Sequence, residues 1–301
     1  MPSSLAIVGS TVVDIILPDT PRLPRWPTHT EFTSDNLVLL PRPPLVTIGG
    51  NGANAAYVAA RRGARVSLHT TLGDDSLGQL ARTWLRDAGC TLHTSSRRVA
   101  TALNVTAADR RQRRATFFHP PAVPPLPRFS RNATLPHAVL VCGWPHPPLP
   151  TLTRFFRQLR PRSVLTALDP GPILGEPWPL ADFARVLAHT DLLLLNEHEL
   201  RTLSRQPSLA AAQRWIRSAC PGDIVIKRGP RGALWLPRAN APAVSIAAPA
   251  IRPINTVGAG DTFNGALLAA LVAGKPLSRA LREAATLAAR VVASGRGVLG
   301  V

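Results

Sequence analysis

Lysine is almost absent from this chain. Among 301 residues there are two lysines, Lys227 and Lys275, with one tyrosine and one methionine. Cysteine is scarce as well: Cys90, Cys142 and Cys220 lie far apart and form no Cys-x-x-Cys pair. An odd count at such spacing argues against a disulfide framework, and a reducing cytoplasm is the simplest setting. No apolar run is long enough to cross a membrane. The longest clean one, 262–274, falls well short of the ~20 residues a bilayer needs. The apolar start at 5–9 has no basic flank and soon meets Asp14, so no secretory signal is expected. Acidic residues are few, 17 against 35 basic ones, which leaves a net charge of +18. The arginines are spread along the chain, with only short clusters such as 110–114. No nucleic-acid-binding module is recognisable, so the charge predicts salt-sensitive attraction to polyanions and no specific nucleic-acid partner.

What is present is a globular composition, 45% hydrophobic, long enough for one large α/β domain. Short apolar runs at 5–9, 66–72, 138–142, 163–168, 191–195 and 223–227 read as strands buried on both faces. Helical patterns lie between most of them. One covers 53–62 and stops at Gly63; another covers 76–88 and opens on a Ser76-x-x-Gln79 capping box. A third spans 278–293 with Ser278 as its cap. This alternation predicts a central, mostly parallel sheet with helices on both faces. Residues 11–47, with a strand expected at 36–40, and the alternating hairpin at 99–118 break the rhythm. Neither can make its own core. They read as strands added at one edge of a single domain spanning 1–301, forming a small β lid. The proline-rich stretch 120–127 reads as an extended connector.

Two glycine-rich segments carry chemistry. Asn255-Thr256-Val257-Gly258-Ala259-Gly260-Asp261-Thr262-Phe263 precedes an apolar helix at 262–273. Glycines let the backbone approach a ligand, and the free N–H groups of a helix start face an anion. Asp261 in that first turn suits a general base, although a carboxylate there also serves as a plain helix cap. Gly49-Gly50-Asn51-Gly52-Ala53-Asn54 opens another helix. Its Asn54 both donates and accepts, which suits a sugar hydroxyl; a tight loop capped by Asn is the competing reading.

These two segments, in this order and spacing, resemble the paired signatures of the ribokinase-like (PfkB-type) carbohydrate kinases, and the resemblance covers essentially the whole chain. It implies a ribokinase-like fold and transfer of the γ-phosphoryl of ATP to a hydroxyl, most simply a primary one. Asp261 is then the base, and Gly258, Ala259 and Gly260 the anion hole. The resemblance further implies that Asp14, Gly49, Gly50 and Asn54 bind the acceptor. Asn196 and Glu199 match the family's Asn-x-x-Glu, and would hold Mg²⁺ and phosphate through water. Lys227 and Gly229 would contact the nucleotide, and Leu72-Gly73-Asp74-Asp75-Ser76-x-Gly78 would be structural. A homodimer through the lid is a further implication.

Four features depart from the family's pattern. Asn51 stands where many members have Lys or a small residue. Asn255 stands where Asp is commoner in a monovalent-cation loop, which bears on K⁺ dependence. His119-Pro120-Pro121-Ala122 replaces a Gly-Ala-Asn after the lid hairpin, and the chain stops at Val301, so the family's last segment is expected to be short. The first signature supplies no cation for a second phosphate, which favours an unphosphorylated sugar. A nucleoside kinase is the runner-up; Trp26, Phe32, Phe117 and Phe118 are the aromatics available to a base, with packing of the lid as their equal alternative. A non-catalytic ligand-binding or nucleic-acid-binding relative stays open.

Overall fold

The computed structural model describes residues 4–24, 31, 34–94, 99–111, 113–130, 134–172, 174 and 178–301; Trp26 and Phe32 lie outside these. The chain opens with strand β1 (Ser4–Gly9), β2 (Val12–Leu17) and β3 (Leu45–Gly49), then helix α1 (Asn51–Arg61) and β4 (Arg65–Thr70). Next come α2 (Ser76–Asp87), β5 (Thr91–Thr94), β6 (Ala102–Ala108), β7 (Arg114–His119), β8 (Ala138–Cys142), α3 (Leu149–Leu159) and β9 (Leu165–Asp169). The remainder is α4 (Leu180–Leu187), β10 (Leu192–Asn196), α5 (Glu197–Ser204), α6 (Leu209–Ala219), β11 (Asp223–Lys227), β12 (Ala233–Leu236) and β13 (Val244–Ile246). Two helices close it, α7 (Ala259–Val272) and α8 (Leu277–Ser294).

Among the described residues, nine strands form the main sheet, in the order β13-β12-β11-β10-β9-β8-β1-β4-β5. All neighbours from β11 to β5 run parallel, and the β11–β12 and β12–β13 pairs are antiparallel. The six expected core strands are there, each within two residues of its expected ends. Their near-continuous apolar runs have a simple cause, because two cores sandwich the sheet. Ile7, Leu68, Leu140 and Leu194 point to the side of α1, α7 and α8. Val8, Val141, Phe156, Phe183 and Leu195 point to the side of α3, α4 and α6.

A second, four-stranded sheet has the order β3-β2-β6-β7. The hairpin of β6 and β7 falls where alternation placed it. The strand expected at 36–40 does not form. Residues 34–36 make one 3-10 turn and 37–40 are irregular, with Leu39 78% exposed. Among the described residues that segment joins no strand, and its Leu37 carbonyl accepts from the Arg22 guanidinium at 3.0 Å instead, whereas the β-branched run of β2 pairs with both β3 and β6. Asp14 therefore sits inside a strand of the second sheet.

Helix starts also move. Asp75, not Ser76, caps α2, with Oδ1 accepting from the Gly78 N–H at 2.7 Å. Its Oδ2 accepts from the Thr101 N–H at 2.7 Å, which ties the loop before α2 to the start of β6. Pro276 precedes α8, and Ser278 lies within it. The three cysteines are free and buried. Among the described residues no helix is long and apolar enough to cross a membrane.

Candidate active site

The C-terminal ends of parallel strands are where α/β sheets collect ligands. Here β1, β8, β9, β10 and β11 end beside the N-termini of α1, α5 and α7. The turn into α7 is set by Gly258, whose φ of 77° is left-handed and costs a glycine little. Ala259, Gly260 and Asp261 then form the first turn of a 14-residue helix, with N–H groups and the positive end of the helix dipole facing outward from it.

Asp261 is 8% exposed, and both its oxygens are held. The Asn51 amide donates to Oδ1 at 2.7 Å and the Asn54 amide to Oδ2 at 2.9 Å. Both donors belong to the first turn of α1, so the two glycine-rich segments meet at one carboxylate. Burial pushes the Asp261 pKa above the usual range. The two amide bonds and Lys227 oppose that push without cancelling it, and Asp169 adds to it. A buried carboxylate with a raised pKa and neutral partners is a stronger base than a free one. Asn54 is 3% exposed, and its NH₂ donates to Asp261.

A cluster of charge lies below. Lys227, at the end of β11, is no surface lysine: its side chain is 14% exposed and its Nζ meets Asp169 Oδ2 at 2.6 Å. Glu199 closes a capping box with Asn196, accepting from the Asn196 N–H at 2.8 Å while its own N–H donates to Asn196 Oδ1 at 2.9 Å. Burial, and then Asp169, push the Glu199 pKa up to about 7 against the pull of Lys227. Three buried carboxyl groups thus surround one ammonium. This excess of oxygen and negative charge fits a hard cation. Among the described residues no three acidic, histidine or cysteine side chains converge to ligate a metal directly, so water would complete such a shell. Asn255 Oδ1 accepts from the Val257 N–H at 3.0 Å, closing its own turn. Gly229 lies in an exposed turn after β11, beside the Arg231 to Glu197 ion pair at 2.5 Å.

The second sheet supplies the opposite wall. Its register sets Thr47, Asp14, Asn104 and Phe118 in one row on one face. The Asn104 amide donates to Asp14 Oδ1 at 3.0 Å, and Phe118 lies 6.4 Å from the Trp144 ring beyond β8. Gly49 lets that carboxyl lie close to the backbone: a Cβ there would fall 2.3 Å from Asp14 Oδ2 and displace it. Burial raises the Asp14 pKa to about 6, against the Asn104 bond. Arg114 of β7 reaches across to Thr256 Oγ1 at 3.2 Å, just ahead of the glycine turn. The segment in place of the Gly-Ala-Asn is pinned by a bond from the Thr71 hydroxyl to the Ala122 carbonyl at 3.1 Å.

Asn51, Asn104, Asp169 and Asn264 were not singled out as site residues from sequence. Asn51 stood within a motif. The other three are joined to the site only by the fold.

Comparison with known proteins agrees with this fold. The family model for pfkB family carbohydrate kinases matches residues 3–298. A ribokinase of Bacillus subtilis is 28% identical over 253 residues, covering 82% of this chain and 81% of its own. The Arabidopsis thaliana ribokinase structure complexed with ribose and ATP has a TM-score of 0.80 at 23% identity, covering 100% of this chain and 96% of that one. A nucleoside kinase of Methanocaldococcus jannaschii, an archaeal member of the ribokinase family, has a TM-score of 0.76 at 19% identity, covering 99% and 94%.

Proposed function

This chain belongs to the pfkB family of carbohydrate kinases, and from that membership and the site geometry we propose that it transfers the γ-phosphoryl group of ATP to a primary hydroxyl of an unphosphorylated sugar. The observation that carries the reading is Asp261, buried in the first turn of α7 with both oxygens held by neutral amides. Asp261 takes the hydroxyl proton. The N–H groups of Gly258, Ala259 and Gly260 meet the charge that develops on the phosphoryl in flight. Such catalysis is positioning and electrostatics rather than covalent chemistry by the protein.

Asp14 and Asn104 orient the acceptor over Gly49 and Gly50. Their row carries a carboxylate and no cation, which disfavours an acceptor already bearing a phosphate. The relative called a ribokinase, and the plant structure holding ribose and ATP, support a pentose and ATP as substrates. A nucleoside is the second reading, favoured by Phe118 and Trp144 at the end of the same row, where a planar base would stack. Asn196 and Glu199 would hold Mg²⁺ through water, Gly229 would face the nucleotide, and Lys227 would face the terminal phosphoryl group of the triphosphate at the anion loop. The ion would neutralise charge on the phosphates. No step is assigned to K⁺, since Asn255 is occupied by its own turn.

The second sheet acts as a lid that keeps water from the phosphoryl group. Its outward row of Val46, Ile15, Val105 and Phe117 offers a face for a homodimer. Three buried free thiols suit the cytoplasm.

The test is an ADP-release screen with ATP and Mg²⁺ over pentoses, hexoses, sugar acids, sugar phosphates and nucleosides. Asp261→Asn is expected to lose about 10²–10⁴-fold in kcat while ADP binding is kept. Near-parental turnover in that variant would refute the assignment.

A further inference from the structure

Two fully buried polar side chains near the glycine turn belong to neither signature. Asp169 ends β9 and is 1% exposed; Asn264 lies one turn beyond Gly260 in α7 and is 0% exposed. The Asp169 carboxylate accepts from three donors. Its Oδ1 accepts from the Gly171 N–H at 2.7 Å, and its Oδ2 accepts from Lys227 Nζ at 2.6 Å and from the Asn264 amide. Its carbonyl accepts from the Gly143 N–H at 3.0 Å. The carboxylate therefore ties the end of β9 to the end of β11 and the start of α7, and the backbone carbonyl of the same residue ties it to the loop after β8.

The ammonium it holds lies against the anion loop. A Cβ built on Gly260 would fall 3.5 Å from Lys227 Nζ. Burial alone would drive that lysine toward neutrality, but Asp169, Glu199 and Asp261 outweigh it and hold the proton on. Three carboxyl groups compete for this cation. If it paired with Asp261 it would quench the base. Asp169 takes it instead, and Asp261 is left to two neutral amides.

We propose that Asp169, braced by Asn264, is a positioning residue that fixes the Lys227 ammonium beneath Gly260, giving the anion loop a permanent cation and keeping that cation off Asp261. This rests on the kinase reading above and adds how its anion hole is charged. A charge held in place before the reaction costs no reorganisation during it, and counts most where charge builds up. Its benefit therefore falls on the phosphoryl in flight more than on bound nucleotide.

A phosphoryl mimic tests this without knowledge of the acceptor. Affinities for ADP alone and for ADP with aluminium fluoride are measured by calorimetry in magnesium buffer, on the parent, Asp169→Asn, Lys227→Met and the double variant. Each single variant is expected to weaken the fluoride complex by at least about tenfold, with ADP alone changed by less than about threefold. The double variant is expected to lose no more than Lys227→Met alone, because Asp169 acts through the lysine. Unchanged affinity for the fluoride complex would overturn the proposal. So would an equal loss for ADP alone, or losses that multiply in the double variant. Should Asp169→Asn fail to fold, Asn264→Ala keeps both charges and is expected to show the same selective loss, smaller in size; no loss there overturns the proposal equally. Failure of the kinase reading is separate: it would appear as a parent that turns over no acceptor, or an Asp261→Asn variant that still does.

Discussion

Asp14 has a titration whose direction is fixed by its surroundings. Burial lifts its pKa from 3.8 to about 6, and the Asn104 bond only partly restrains that. An ionised carboxylate accepts hydrogen bonds from sugar hydroxyls, while the protonated form gives up one acceptor site. The acceptor kcat/KM, which reports the free enzyme, is therefore expected to rise with pH through about 6. Asp14→Asn should remove that limb of the profile; a profile unchanged in the variant would rule Asp14 out as its source. The stability consequence has the opposite sense. Between the unfolded value and about 6, the folded chain keeps a proton that the unfolded chain has released. Burial of Asp14 thus costs stability as pH rises through that window. The Tm advantage of Asp14→Asn over the parent should grow from pH 4 to pH 6, read by a melting series. Residues of this kind were legible where they sat in local signatures: Asp261 beside its glycines, Asn54 in its turn. Asp169 and Asn264 were not, because nothing in the residues around 169 or 264 reveals that the fold sets them against Lys227.

The elements show the same division. The buried strands β1, β8 and β11 were plain in the sequence because a strand covered on both faces is written as an uninterrupted apolar run. The four-residue β5 and β12, the three-residue β13 and the start of the second sheet carry no such mark. Their places are decided by the neighbours they pair with. Strand β2 is the instructive case. Its run of Val12, Val13, Asp14, Ile15, Ile16 and Leu17 follows β1 after two residues, and reads as an interruption until β3 and β6 are seen on either side. The β6–β7 hairpin was legible by alternation, but not what its edge touches. Arg114, at the start of β7, bonds Thr256 in the loop that leads to α7. One exposed hydrogen bond is worth about 0.5–1.5 kcal/mol, or up to about tenfold in a closing equilibrium. Arg114→Ala should raise the acceptor KM by about two- to tenfold. It should also raise ADP release without acceptor by a similar factor, since a looser lid admits water. Steady-state kinetics with and without acceptor would check this. Two unchanged rates would mean that the contact plays no part in closure.

For the whole molecule, the two faces of the second sheet and the net charge have to be read together. Alternation sends Asp14, Asn104 and Phe118 toward the cleft. The same alternation sends Val46, Ile15, Val105 and Phe117 to the other side. Near β1 that outer face is covered, where Val13 packs with Leu72 and Ala81. Farther out it is bare: Phe117 is 65% and Val46 40% exposed. An apolar row across a sheet with two open edges is a surface that folded proteins seldom leave uncovered. A second copy bearing the same row would cover it. Each copy, however, carries a net charge of +18, so two copies repel through their long-range fields. Salt screens that repulsion and leaves apolar burial intact. Self-association through this face should therefore strengthen as salt rises from about 20 mM to about 500 mM, where the Debye length shortens several-fold. Nonspecific binding to DNA should weaken over the same range, because that attraction is the release of counterions. Light scattering across a salt series would show the mass moving from one chain toward two. Phe117→Glu, at an exposed position away from the cleft, should keep the mass at one chain throughout and leave turnover unaltered. A parent mass independent of salt, or a Phe117→Glu variant that still doubles, would remove this row from the interface. Association that weakened with salt would mean that opposite charges, and not the apolar row, bring the copies together.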